Sequence, residues 1–218
     1  MKRFSLILII AVFVTAIPFL IWNKPVESNK PSRIKIFKPK VEERNIFITV
    51  MGKIDSNTVN EIKSNLENFY SAKVNILPPT EILTETKVKN LNKYDASEIL
   101  KIIKKTHKDK KGKILMLTSL DISVKERELN GVVYKNWGVW GLGGMNGRAC
   151  IVSNFRMGKN RSDRFINTAI HEIGHTLNIP HCEADVKCLM NDAKGRAMDY
   201  ENNFMCESCR KKISWKVQ

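Results

Sequence analysis

The sequence predicts an α/β layered domain followed by a small C-terminal part. Three observations predict it. Apolar, β-branched runs of strand length alternate with amphipathic stretches of helical period from residue 46 to 120. A further strand and a longer amphipathic helix follow, ending near Leu177. The last 41 residues lose this periodicity but hold four of the five cysteines. At 218 residues, 43% apolar and 27% charged, the chain can form a core of useful size. It shows no repeat of solenoid length.

The elements follow in order. Ile46-Phe47-Ile48-Thr49-Val50 reads as a strand closed by Gly52. Asp55 or Ser56 then opens a helix with Val59, Ile62, Leu66 and Phe69 on its apolar face. Ala72 to Leu77 is a short strand stopped by Pro78-Pro79. Asp95 or Ser97 caps a second helix that turns Ile99, Leu100, Ile102 and Ile103 inward. KILMLTSL at 113–120 is a continuous apolar strand, expected to be central and covered on both faces. Residues 131–147 carry six glycines and two tryptophans and read as a flexible loop or loose hairpin. The glycines do not fall as G-x-G-x-x-G between strand and helix, so a dinucleotide fingerprint is excluded. RACIVSNF at 148–155 is another strand. Ser162 or Asp163 caps a third helix whose apolar face is Phe165, Ile166, Ala169, Ile170, Ile173 and Leu177.

The N-terminus stands apart. Met1-Lys2-Arg3 precedes nineteen uncharged residues, Phe4 to Trp22, about the length of a bilayer span. Residues 1–22 are expected to be a membrane anchor with the rest of the chain exported, or a cleaved secretory signal; a buried helix is the third reading. Residues 23–40, with three prolines and six basic residues, read as a linker, and 41–218 as one domain. The net charge of +15 raises nucleic acid or anionic membrane as partners. The basic residues are scattered, though, apart from 104–113 and 210–212. They are not interleaved with aromatics, so no specific nucleic acid is expected. A monomer is expected, with membrane contact through residues 4–22.

HEIGHTLNIPHCEADVKC at 171–188 holds three of the four histidines. His171 and His175 are four apart, so both imidazoles project from one helix face and can share one zinc. Glu172, one step round the helix, can reach a water at the metal without ligating it, as a general base must. His181, six residues on, cannot share that face, so the chain must leave the helix and turn back. Such a turn asks for a left-handed residue, normally glycine; asparagine is the next choice, and Asn178 occupies the position. Pro180 keeps the helix from resuming. His171, His175 and His181 thus read as a catalytic zinc set with Glu172 as base. An intact Glu172 argues against the rival reading, a non-catalytic zinc protein that binds nucleic acid or anionic membrane through its basic surface.

Cys182 and Cys188 are followed by Cys206 and Cys209, two short-spaced pairs that suit a four-thiolate zinc. Two disulfides are the alternative. Either way, the short C-terminal part needs a staple, being too small for a core of its own. Cys150 lies in an apolar strand and reads as inert and buried.

These residues resemble the archaemetzincins, zinc peptidases of the metzincin clan. The resemblance is carried by HEIGHTLNIPHC, Cys188-Leu189-Met190, the closing Cys206-Glu207-Ser208-Cys209 and the strand at 148–155. It implies an α/β (α+β) zincin-like fold whose mixed sheet and helices include the active-site helix, with a small irregular zinc-stapled C-terminal subdomain. It implies a metallopeptidase catalytic domain at 41–218 that cleaves peptide or protein substrates with two Zn2+ per chain. His171, His175 and His181 would hold the catalytic ion, and Cys182, Cys188, Cys206 and Cys209 the structural one. Met190 would lie in the turn beneath the catalytic metal. The strand at 148–155 is expected to line the cleft and pair with an extended substrate. Asn178 departs from the family pattern, which has glycine there.

Overall fold

A five-stranded sheet with helices on both faces organises the protein. The structure, a computed structural model, describes residues 43–158, 161–192 and 204–215. The elements in chain order are β1 (Asn45–Met51), α1 (Ser56–Tyr70), β2 (Lys73–Ile76), β3 (Tyr94–Asp95), α2 (Ala96–Thr106), β4 (Lys113–Thr118), β5 (Ile122–Leu129), β6 (Val132–Val139), β7 (Gly141–Gly143), β8 (Ala149–Ser153), α3 (Arg161–Thr176) and the short α4 (Glu207–Arg210). The main sheet runs β2-β1-β4-β8-β7. Its first four strands are parallel and β7 is antiparallel to β8. A second sheet of three strands runs β3-β5-β6.

The caps set the helix starts. Asp55 accepts from the Thr58 N–H at 2.8 Å and opens α1. Asp95 accepts from the N–H groups of Ser97 and Glu98 and opens α2. Both satisfy donors that the first helical turn leaves orphaned.

Every residue of β4 is buried, as its continuous apolar run predicts. Leu115 and Leu117 join Cys150 and Val152 of β8 under α1 and α3. Ile114 and Met116 join Ala149 and Ile151 on the α2 side. This alternation is the period of two of a strand covered on both faces. Lys113 is fully buried, and its Nζ donates to the carbonyls of Gly147 (3.0 Å) and Thr176 (2.7 Å). A cation at the end of β4 thus holds the last-turn carbonyl of α3, where the helix dipole favours it. The cluster under α1 and α3 continues into the C-terminal part through Leu189, Met190, Met205 and Trp215.

Three expectations are corrected. Of the two readings of residues 131–147, the hairpin is the nearer and the flexible loop is set aside: β6 and β7 take up 132–139 and 141–143. Asn130 and Gly131, both with positive φ (52° and 77°), make the two-residue turn of a long β5–β6 hairpin. Second, β8 cannot receive a substrate strand, because β4 and β7 occupy both its edges; β7 is the open edge. Third, the membrane-anchored location with an extracytoplasmic catalytic domain, or a secreted one, is withdrawn. Among the described residues no helix is long and apolar enough to cross a membrane. The longest, α3, has 16 residues, against about 20 for a span. Residues 4–22 lie outside the described residues.

Candidate metal centre

Helix α3 places His171, Glu172 and His175 side by side, all buried. The helix ends where the sequence asks it to. The Asn178 N–H donates to the His175 carbonyl and the Ile179 N–H to the Gly174 carbonyl, both at 3.0 Å. Asn178 has φ 70°. This is a Schellman end with asparagine in the left-handed position. It turns the chain back, so that the three imidazoles face one another. Ring centroids lie 4.6 Å apart for His171 and His175, 4.7 Å for His175 and His181, and 5.4 Å for His171 and His181. One nitrogen from each lies within 4.8 Å of the others.

The outer hydrogen bonds decide which nitrogens are available. His171 Nδ1 is 2.7 Å from the Leu189 carbonyl, and His175 Nδ1 is 2.8 Å from the Ile179 carbonyl. A carbonyl can only accept, so each Nδ1 carries the proton and each Nε2 keeps a lone pair for a metal. Burial pushes His171 down to about 3 and lowers His175, which keeps both rings neutral. Two neutral, tethered imidazoles and a third that converges on them fit a zinc ion.

Glu172 faces the same cleft, of about 710 Å³, lined also by Trp137, Trp140, Leu142 and Pro180. Burial pushes its carboxyl up to about 8, and an N–H bond from Gly143 pulls the other way. The glycines of β7 make room for it. A Cβ on Gly141 would stand 2.6 Å from Glu172 Cγ, and one on Gly143 would stand 2.6 Å from the Glu172 carbonyl oxygen. The sequence suggests flexibility at these glycines; their place in the structure is clearance around a buried carboxylate.

The second cluster lies in the C-terminal part. One sulfur from each of Cys182, Cys188, Cys206 and Cys209 lies within 4.8 Å of the others. No disulfide joins any of the four. Cys182 Sγ and Cys206 Sγ are 3.6 Å apart. Tetrahedral thiolates about 2.3 Å from zinc would be about 3.8 Å apart, so the donor set fits that ion. Burial raises the Cys188 and Cys209 thiols, a cost that a bound cation offsets.

Three consecutive residues join the two clusters. Cys188 belongs to the thiol group, Leu189 accepts from His171, and the Met190 carbonyl accepts from the Cys182 N–H at 2.7 Å. Met190 is fully buried beneath α3, where a Cβ on Gly174 would meet its sulfur at 2.6 Å. Gly174 is therefore a seat for Met190. Cys150 is buried in β8 and joins neither cluster.

Sequence reasoning missed part of the site. Glu126, Arg127 and Trp137 of the β5–β6 hairpin line the cleft. Asn130-Gly131 between apolar positions was the available signal for that hairpin. Asp192, another lining residue, follows Met190 by two and carried no signal of its own.

An open cleft that brings a histidine triad and a buried carboxylate together beneath a sheet edge defines a zinc-dependent metallopeptidase. The comparisons agree. The profile of Peptidase family M54 matches residues 32–215, and the chain belongs to that family. An archaemetzincin of Halobacterium salinarum is 25% identical over 182 residues, covering 77% of this chain and 98% of its own. One from Saccharolobus solfataricus is 25% identical, covering 78% and 93%. Among solved structures, the archaemetzincin of Archaeoglobus fulgidus complexed with malonate superposes with a TM-score of 0.63 at 24% identity, covering 78% of this chain and 99% of that one. The Methanopyrus kandleri protein gives 0.63 at 22%, covering 80% and 95%. The fold is thus that of the archaemetzincins. The family match begins at residue 32, past the apolar segment, and so lends no support to a membrane anchor.

Proposed function

We propose that residues 41–218 form a catalytic domain that hydrolyses peptide bonds, with one zinc held by His171, His175 and His181 and a second, structural zinc held by Cys182, Cys188, Cys206 and Cys209. The observation that carries this reading is the convergence of three imidazoles, two with Nδ1 bonded to a carbonyl, beside the buried carboxylate of Glu172. Zinc held there would supply Lewis acidity, polarising the scissile carbonyl and lowering the pKa of water towards about 7. Glu172 does the proton work. Its carboxylate takes a proton as the water oxygen bonds to the carbonyl carbon, then returns it to the amine nitrogen as the C–N bond breaks. Burial favours the protonated stage of that cycle, and a dication held by the three histidines would favour the carboxylate. The open edge of β7 lies along the cleft, and an extended peptide is positioned by strand addition to it.

The test is digestion of an unbiased peptide library by the zinc-loaded protein. Cleavage should stop with a chelator and return with zinc. Glu172→Ala should lower kcat/KM by about 10²–10⁴-fold while keeping the histidine-bound zinc. If that variant lost its zinc as well, the role given to Glu172 would fail.

A further inference from the structure

Each histidine of the triad presents Nδ1 to an oxygen, but the three oxygens differ in kind. His171 and His175 meet backbone carbonyls at 2.7 and 2.8 Å. His181 has a side chain nearby instead: its Nδ1 lies 3.8 Å from Asp192 Oδ2, an ion-pair distance beyond hydrogen-bond range. The other oxygen of the same carboxylate, Oδ1, accepts from Arg127 Nη2 at 3.4 Å. Arg127 sits on β5, near the tip of the hairpin, and Asp192 lies just beyond Met190 in the C-terminal part. Both line the cleft.

His171 and His175 project from a helix and are buried, so their orientation is over-determined. His181 is 45% exposed at its side chain and follows a turn, so its ring has the most freedom of the three. A carboxylate on the far ring nitrogen of a metal-binding histidine fixes the ring and makes it a better donor. We infer that Asp192 is the positioning residue of His181, and that Arg127 reaches across from the hairpin to hold Asp192 in place. The inference rests on the zinc reading of the histidine triad. It gives the β5–β6 hairpin a route of two side chains to the proposed metal centre.

The proposal is tested by zinc affinity at the histidine site, measured by chelator competition on the full chain. Cobalt substitution reports the cysteine site separately, through thiolate charge-transfer absorption. Asp192→Ala should weaken histidine-site zinc by roughly 10- to 100-fold, the usual range for an outer partner of a ligand. The cysteine-site absorption should not change; a loss of fold would move both. Arg127→Ala should weaken the same site by a few-fold. Because Arg127 acts through Asp192, the double variant should be no weaker than Asp192→Ala alone. Unchanged affinity in Asp192→Ala overturns the proposal. Additive losses in the double variant overturn the part given to Arg127. Absence of any histidine-bound zinc in the unaltered protein would instead sink the proposed function, so the two failures are distinct.

Discussion

The part of the chain before Asn178 and the part after it are held together by different means. The first stacks α1, α2 and α3 on a sheet whose central strand is wholly buried. The second has only α4, four residues long, as regular structure among its described residues. Its backbone is tied by scattered hydrogen bonds: Cys182 to Met190, Leu189 to Phe204, and Ser214 to Leu177. Its thiols occupy the place of a core. Yet the histidine cluster draws on both parts, two histidines from one and His181 from the other. The difference teaches that one helix supplies most of the site's geometry, while the third histidine comes from a segment with little regular structure of its own.

The sharpest way to break the comparison is Cys209→Ser. This residue is remote in sequence from His181 and never touches the histidines' metal. The variant should hold fewer than two zinc ions per chain and lose activity by about 100-fold, the upper range for lost support of a ligand. Hydrogen exchange should speed up at Cys182, Leu189 and Ser214 while β4 and β8 stay protected. Thiol reductant alone should leave the zinc-loaded protein folded. Full activity with unchanged exchange would show that the second part does not need its thiols.

The complementary test disturbs only the first part. Gly141→Ala puts a methyl group within contact of the Glu172 side chain, and misplacing that carboxylate by about 1 Å should cost about 10²-fold in kcat/KM. Zinc content should be unchanged in both sites. Normal turnover would mean that β7 yields and that the clearance is not needed.

The junction itself comes next. Asn178→Gly should keep zinc affinity, since glycine takes positive φ freely. Asn178→Val should suffer about 1–2 kcal/mol of backbone strain and bind zinc about tenfold more weakly. Equal affinities in the two variants would contradict the left-handed geometry.

The smallest effect is a pH slope in the metal-free protein. Burial raises Glu172 to about 8 from 4.5. Between those values the folded state binds the extra proton, so folding weakens as pH rises through that window. His171, pushed down to about 3, acts oppositely: the unfolded chain binds its proton between 3 and 6.5, so stability falls as pH drops. Above 6.5 only the Glu172 slope of these two remains. Glu172→Gln should flatten the stability profile between pH 6.5 and 8 by up to one proton's slope, measured by denaturant unfolding.

Much of this was legible because it depends on local rules. The spacing of His171 and His175, the caps at Asp55 and Asp95 and the left-handed Asn178 each follow from neighbours in sequence. The β5–β6 hairpin was harder. Lys125, Glu126, Arg127 and Glu128 face solvent or an open cleft, so the strand lacks the apolar alternation that normally betrays one. The buried Lys113 was equally opaque. Its partners, the carbonyls of Gly147 and Thr176, lie 34 and 63 residues away, and no local pattern announces a long-range bond to backbone. The pairing of Asp192 with Arg127, 65 residues apart, belongs to the same class.

The tripeptide Cys188-Leu189-Met190 has a consequence for how the enzyme comes into being. On the proposed reading it presents His171 correctly only once Cys188 is anchored, and that anchoring waits for Cys206 and Cys209, eighteen and twenty-one residues further along the chain. A fragment ending before Cys206 would carry every histidine and Glu172 and still be a poor peptidase. Synthesis that stops before Cys206, or a protease that cuts ahead of it, should therefore yield a poor peptidase, and hydrolytic competence arrives only once both thiols of that closing pair are in place.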